Sequence, residues 1–214
     1  MHKPSIGLSL EGMPFIFLTT VATLTFAILD CWFMATLLLA VLFLVLNFFR
    51  DPERVVPQEP GVAVSPADGK VIKVETMRDP LTGEDRTAVC VFMNVFNVHV
   101  NRMPVAGRIA RISYFGGKFL NASFDKASTD NERNAVLVED AEGKTWTVVQ
   151  IAGLIARRII CWAEEGDSLA RGQRFGLIKF GSRVDLYLPS DYESTVRIGE
   201  KVFAGQTVLA RKKR

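Results

Sequence analysis

The stretch FGLIKFGSRVDLYLP, residues 175–189, decides how this chain is read. Leu177, Ile178, Phe180, Val184, Leu186 and Leu188 are apolar and strand-forming, and Pro189 ends the run. Gly181-Ser182 interrupts it, not far from the C-terminal Arg214. A glycine inside a strand pattern marks a bulge, a bend or a close approach of backbone. The plain structural reading is one strand carrying a β-bulge and a surface serine.

Working outward, residues 65–214 continue in the same style. Short runs such as GKVIKVE (69–75), TAVCVFM (87–93), GRIARISYF (107–115) and KTWTVVQIAG (144–153) alternate with closely spaced glycine turns. No long amphipathic helix is expected there, and one or two helical turns fit within 120–133. Two echoes recur. PADGKVIKV (66–74) resembles PVAGRIARI (104–112), and EEGDSLARGQRFGLI (164–178) resembles RIGEKVFAGQTVLA (197–210). The shared Gly-Asp/Glu-x-Leu/Val-x-x-Gly-Gln reads as a hammerhead-like turn. Such pairs resemble the barrel-sandwich design of biotinyl and lipoyl carrier domains. The expected fold is therefore mainly β and barrel-sandwich-like.

The N-terminal part is different. Eighteen uncharged residues separate Glu11 from Asp30, and nineteen separate Asp30 from Arg50. Each run is near the roughly 20 residues that a spanning helix needs, and each is apolar all round. A thin charged n-region, no small-x-small cleavage site and an immediate second run argue against a cleaved signal peptide. The reading is a membrane-associated helical hairpin (1–50), a Pro- and charge-rich linker (51–64) and a β-rich domain (65–214). A shallow re-entrant hairpin is the open alternative. Lys3 before the first run, with Arg50 and Arg54 after the second, puts both ends in the cytoplasm. The expected location is the cell membrane, with the β domain on the cytoplasmic face. Net charge is only +3, and the basic tail ARKKR adds some attraction to an anionic leaflet. Cys31, Cys90 and Cys161 have no metal or CxxC spacing and read as buried free thiols. Two His are too few for a metal cluster, no nucleotide loop is visible, and neither a metal nor a nucleic-acid partner is expected.

Gly181-Ser182 also admits a chemical reading. A Ser hydroxyl can attack the carbonyl before it if the peptide is held strained, and a preceding Gly opens the φ/ψ space for that strain. The resulting ester can undergo β-elimination, which breaks the chain and leaves dehydroalanine. Loss of ammonia then gives a pyruvoyl group, able to hold a substrate amine as a Schiff base and act as an electron sink.

Four blocks occur in order: SPADGKV (65–71), FNVHVNRMPVAG (96–107), FDKASTDNERN (124–134) and FGSRVDLYLP (180–189). Together they resemble the phosphatidylserine decarboxylases in their short proenzyme form, over about 50–210 and the N-terminal hydrophobic pair. The resemblance implies self-cleavage between Gly181 and Ser182 into a β chain (1–181) and an α chain (182–214), held together as a heterodimer because the cut falls inside a paired sheet; further oligomerisation is open. It implies a pyruvoyl cofactor from Ser182 and decarboxylation of the phospholipid phosphatidylserine to phosphatidylethanolamine. His99 suits proton transfer near neutral pH; by resemblance it lines the pocket and protonates the carbanion. Asp68 sits in ordinary Asp-Gly turn chemistry. The family's long forms pair an Asp here with a His to activate the Ser, which suggests an Asp68–His99–Ser182 relay. This chain departs from that pattern: Arg102 and Met103 precede Pro104, and Arg183 stands where the long forms have Thr. Arg133 is a candidate for pairing a phosphate or carboxylate while NERN anchors a loop. Gly116-Gly117 is a weaker candidate for backbone approach to a head group. Lys126, in an Asp-Lys-Ala setting, is a minor candidate for a lipoyl-type lysine. The alternatives are a decarboxylase of an archaeal-type serine ether lipid, and a non-enzymatic membrane-tethered adaptor or carrier domain.

Overall fold

The computed structural model describes residues 7–124, 127–154, 158–179 and 181–213. Lys3, Lys126 and Phe180 lie outside the described residues. The chain divides into two compact units, Met1–Glu53 and Arg54–Arg214.

In the first unit, a short turn of 3-10 helix leads into α1 (Met13–Ile28), which packs against α2 (Trp32–Phe48). Pro14 falls in the first turn of α1, where its missing N–H costs nothing. Asp30 makes the link in the left-handed region at φ 56°, a conformation Asp tolerates. Of the helical residues only Ala35 and Phe48 are buried, so the hairpin presents leucines, phenylalanines and valines outward. Thr19, Thr20, Thr23, Thr25 and Thr36 each bond a carbonyl four residues back, at 2.7–2.9 Å. Those hydroxyls therefore need no water, which is what a hydrocarbon surrounding requires. Leu10–Ile28 is long and apolar enough to cross a bilayer by length and composition. The seventeen residues of α2 span about 26 Å, slightly short of a roughly 30 Å hydrocarbon core.

The second unit is built from β1 (Val62–Val64), β2 (Gly69–Arg78), β3 (Asp85–Met93), β4 (Val100–Arg102), β5 (Gly107–Phe115), β6 (Arg133–Glu139) and β7 (Thr145–Ala152). It continues through β8 (Ile159–Cys161), β9 (Ser168–Leu169), β10 (Arg174–Ile178), β11 (Ser182–Tyr187), β12 (Tyr192–Ser194), β13 (Lys201–Val202) and β14 (Val208–Lys212). A short helix, α3 (Ala127–Asp130), falls within the segment where helical turns were expected. An eight-stranded antiparallel sheet has the order β13-β2-β3-β11-β7-β6-β5-β9. Two three-stranded sheets, β1-β14-β12 and β4-β10-β8, complete the mainly β, barrel-sandwich-like body.

The sequence echoes are structural. β2 and β5 both begin at a glycine whose added Cβ would strike a neighbouring carbonyl, that of Phe92 for Gly69 and that of Glu139 for Gly107. Both strands bulge two residues later. Each is then capped by its hammerhead turn: Val71 N donates to Glu200 O at 2.9 Å, and Ile109 N to Asp167 O at 2.8 Å. Gly166 and Gly199 share φ 94°, a conformation that glycine alone adopts at little cost. The two copies flank the sheet, and β11 and β7 meet in its middle.

Three expectations need correction. The 175–189 run is not one bulged strand: β10 belongs to the β4-β10-β8 sheet and β11 to the eight-stranded one, so Gly181 lies where the chain changes sheets. Residues 54–64 are not a free linker, since Arg54 pairs with Asp68, Arg211 with Glu59, and Arg171 donates to Val62 O at 2.9 Å. Cys31 is exposed and Cys161 half-buried, leaving only Cys90 fully buried.

Strand β11 is buried along its whole length. Ser182, Val184 and Leu186 alternate with Arg183, Asp185 and Tyr187 on opposite faces. Val184 and Leu186 join the main core with Met93, Ala152 and Trp146, and Tyr187 joins a smaller cluster with Cys90, Val149 and Ile151. Arg183 Nε and Nη2 donate to Asp185 at 2.6 and 2.8 Å, with both side chains 1% exposed or less. Breaking such a pair strands a buried charge. Asp185→Ala is expected to destabilise the protein by about 3–5 kcal/mol, read as a lowered denaturation midpoint. Glu75→Gln, in the more exposed pair with Lys73, should move the midpoint little. Equal midpoints for both variants would show that the buried pair does not hold β11.

Candidate active site

The site forms where the chain passes from β10 to β11. Gly181 turns the backbone at φ 69°, and an added Cβ there would meet nothing within 4 Å. Its carbonyl is tightly seated, because a Cβ on Gly153 would overlap Gly181 O outright. Glycine is thus required at 181 for conformation and at 153 for space. Ser182 is wholly buried, paired across the sheet with Met93 on β3 and Ala152 on β7. Its Oγ has no hydrogen-bond partner among the described residues. An unpaired buried hydroxyl costs about 1–3 kcal/mol, so its presence at this junction calls for a reason.

His99 supplies part of the surroundings. It is completely buried, and its backbone carbonyl accepts from Ile178 N at 3.3 Å, which fixes it beside the end of β10. Its Nδ1 lies 2.9 Å from Asn97 O, and Gly181 N donates to its Nε2 at 3.4 Å. This pattern assigns the proton to Nδ1 and makes Nε2 the acceptor of the Gly181 N–H, one peptide before the Gly181–Ser182 linkage. Asn97 is held in turn by a compact loop: Asn94 N donates to Asn97 Oδ1 and Phe96 N to Asn94 Oδ1, both at 2.9 Å.

A pocket of about 250 Å³ opens over Gly181, lined by Phe92, Asn94, Asn121, Gly153 and Leu154 among others. Ser182, the next residue, does not line it. Asn131 clasps one wall, its Nδ2 donating to Leu120 O and Ala152 O at 2.8 Å each. Under the serine's face of the sheet lies a chain of buried amides. Gln150 Nε2 donates to Asn101 Oδ1 at 2.9 Å, and Asn134 Nδ2 donates to Gln150 Oε1 at 3.1 Å. A larger groove, about 650 Å³, runs past Leu188–Tyr192 at the far end of β11 and includes neither Gly181 nor His99.

The opposite face of β11 is charged and sealed. Burial works against the Arg183 charge, but Asp185 beside it outweighs this and drives its pKa up. Burial, aided by Asp185, pushes the Cys90 thiol up, so it stays protonated and accepts from Arg183 Nη2 at 3.0 Å. Tyr187 moves up for the same reason. None of these groups shares the serine's face.

A family model described as phosphatidylserine decarboxylase matches residues 41–210. A phosphatidylserine decarboxylase proenzyme of Nitratidesulfovibrio vulgaris is 64% identical over 212 residues, covering 99% of this chain and 98% of its own. The chain belongs to the phosphatidylserine decarboxylase family. Proenzymes of the same description from Oleidesulfovibrio alaskensis and Burkholderia vietnamiensis are 62% and 50% identical, over 100% and 98% of this chain and 98% of each of theirs.

Within this family member, Gly181, Ser182 and His99 come together, and two other expected residues do not join them. Asp68 accepts from Ala204 N at 2.7 Å and from Arg54 Nη2 at 2.8 Å, which makes it the clamp of its own turn. Among the described residues, no hydrogen bond completes an Asp68–His99–Ser182 relay, since His99 Nδ1 faces Asn97 O and Ser182 Oγ faces no partner. Arg133 donates to Thr129 O at 2.6 Å and its guanidinium sits 4.5 Å from the Phe115 ring centre, so it anchors the loop. Gly117 packs against the backbone of Asp130 and Asn131, so its close approach is to the chain itself. Asn97, Gly153 and Gln150 were not singled out by the sequence. Gln150 alone left a trace, as a polar residue at an inward position between Val148 and Ala152.

Gly153→Ala is expected to be more destabilising than Gly181→Ala. The first forces backbone apart; the second carries only the left-handed penalty of about 1–2 kcal/mol. Denaturation midpoints in the reverse order would contradict the seating of Gly181 against Gly153.

Proposed function

We propose that this chain matures by cutting itself between Gly181 and Ser182, and then decarboxylates phosphatidylserine to phosphatidylethanolamine through a pyruvoyl group derived from Ser182. The observation that carries this reading is the buried, unpartnered Ser182 Oγ directly after Gly181, whose own N–H donates to His99 Nε2 and holds that ring beside the junction. The proenzyme description borne by the relatives supports it.

Maturation needs one water besides the chain itself and releases one ammonia. Ser182 Oγ adds to the Gly181 carbonyl carbon, its proton is taken up, and the C–N bond breaks to leave an ester and a free amine. Removal of the Cα proton of residue 182 then expels the Gly181 carboxylate and leaves dehydroalanine. Water replaces the nitrogen, ammonia departs, and residue 182 becomes a keto-acyl group. His99 is the base suited to the first proton, because its unprotonated Nε2 is held beside Gly181, the residue whose carbonyl is attacked. The burial that leaves Oγ unpaired also removes competing water.

The mature group fits its surroundings. It needs no hydrogen bond at the position Ser182 Oγ gives up, and the pocket above Gly181 gives an amine a way in. The keto-acyl group, once formed, would supply an electron sink for loss of carbon dioxide from an amine-bearing substrate. The chain's own part is to hold that end rigidly, exclude water and deliver a proton from His99. β11 keeps its neighbours β3 and β7, and β10 keeps β4 and β8, so the two pieces remain a heterodimer after the cut. The apolar hairpin anchors the enzyme to the cell membrane, and the flanking basic residues put the β domain on the cytoplasmic face.

A denaturing gel tests this. Wild type should give two chains, 1–181 and 182–214, and Ser182→Ala one intact inactive chain. His99→Ala should lose self-cleavage. If His99→Ala is cut normally, His99 has no part in maturation; its role in turnover then requires that the cut variant lose about 10²–10⁴-fold in kcat. An uncut, active wild type would overturn the reading.

A further inference from the structure

A second groove, about 410 Å³, borders the pocket over Gly181 and shares Phe92 and Asn94 with it. Lys70 and Lys201 line it, with Phe96 and Phe203 beside them. Lys70 on β2 pairs directly across from Lys201 on β13, and on its other side from Phe92 on β3. All three therefore stand in one row on one face of the sheet.

Two like charges directly opposite each other are unfavourable, and antiparallel sheets normally avoid them. Three other lysines are paired with carboxylates: Lys73 with Glu75, Lys144 with Asp191 and Lys212 with Glu142. Lys70 and Lys201 are both exposed and have no carboxylate or hydrogen-bond partner among the described residues. The nearest acid in sequence, Glu200, is spent on Arg197 N at 2.9 Å. Phe96 and Phe203 are 62% and 51% exposed, which is unusual for phenyl rings flanking a cationic pair. A cationic floor with an apolar rim matches a phosphodiester that continues into glycerol and acyl chains.

Resting on the function proposed above, we infer that this groove binds the phosphodiester and glycerol of the lipid substrate, while the serine end reaches the pocket over Gly181. Lys70 and Lys201 neutralise the phosphate, and Phe96 and Phe203 receive the start of the acyl-glycerol part. The shared wall of Phe92 and Asn94 makes the two spaces one continuous site.

The test uses the matured wild-type enzyme and the double variant Lys70→Gln/Lys201→Gln, with short-chain phosphatidylserine kept below its micelle concentration. The variant should mature into two chains and show KM raised about tenfold, with most of the loss in kcat/KM carried by KM. Lys70→Arg/Lys201→Arg should recover most of it. In wild type, glycerophosphoserine should compete at least about tenfold better than L-serine or inorganic phosphate. An unchanged KM, a shift with vesicles but not with monomers, or equal inhibition by the three compounds would overturn the subsite. Those outcomes leave self-cleavage intact, whereas an uncut wild type would instead overturn the function on which the subsite rests.

Discussion

The structure depends on how β11 is held. From its first residue it is paired on both sides, to β3 from Met93 to Ala88 and to β7 from Ala152 to Thr147. The buried Arg183–Asp185 pair fixes it from one face and the apolar core from the other. The strand therefore starts at full rigidity, with no frayed turn, at the point where the chain has just left another sheet. That rigidity keeps a hydroxyl buried without a partner beside a carbonyl pressed onto Gly153. In a looser strand, the serine would rotate to a carbonyl or to water and the cost of burying it would vanish.

The duplicated architecture explains why the junction sits where it does. Each copy supplies a bulged strand closed by a hammerhead turn, and the copies occupy opposite ends of the eight-stranded sheet. Their meeting line is the β11–β7 pair, the part of the sheet most remote from its edges. Ser182 and Gly153 lie on this line, and His99 reaches it from the adjoining β4-β10-β8 sheet. At the outer edge, β13 and β2 carry the exposed lysines. The hairpin of α1 and α2 has an outward apolar surface and internally satisfied threonines, features that suit a lipid surrounding.

Much of this was legible in the chain. The uncharged runs gave the hairpin and the repeated Gly-Gln turns gave the hammerheads, whereas Gly181-Ser182 and His99, each most simply structural when read alone, stood out through the four-block resemblance to the family. The single-strand reading of 175–189 failed because β10 and β11 are both buried on all sides. Their apolar residues merge into one run, and only the pairing with distant strands separates them. Asp68 was rightly placed on a turn, but its partners, Arg54 and Ala204, lie 14 and 136 residues away in sequence. Arg133 looked free for an anion because nothing in NERN reveals that its guanidinium closes on carbonyls of the same loop. The Lys70–Lys201 opposition was invisible for the same reason, being a product of sheet register between strands far apart in the chain.

The most direct measurement is the intact mass of the small fragment from active enzyme, with sequencing of its first residue. That fragment is predicted to start at residue 182, to be lighter than a serine-started peptide by one ammonia, and to be blocked to amine-directed sequencing. Active material in which residue 182 is an ordinary serine, whether in a cut or an uncut chain, would contradict a self-made keto-acyl group as the seat of the chemistry.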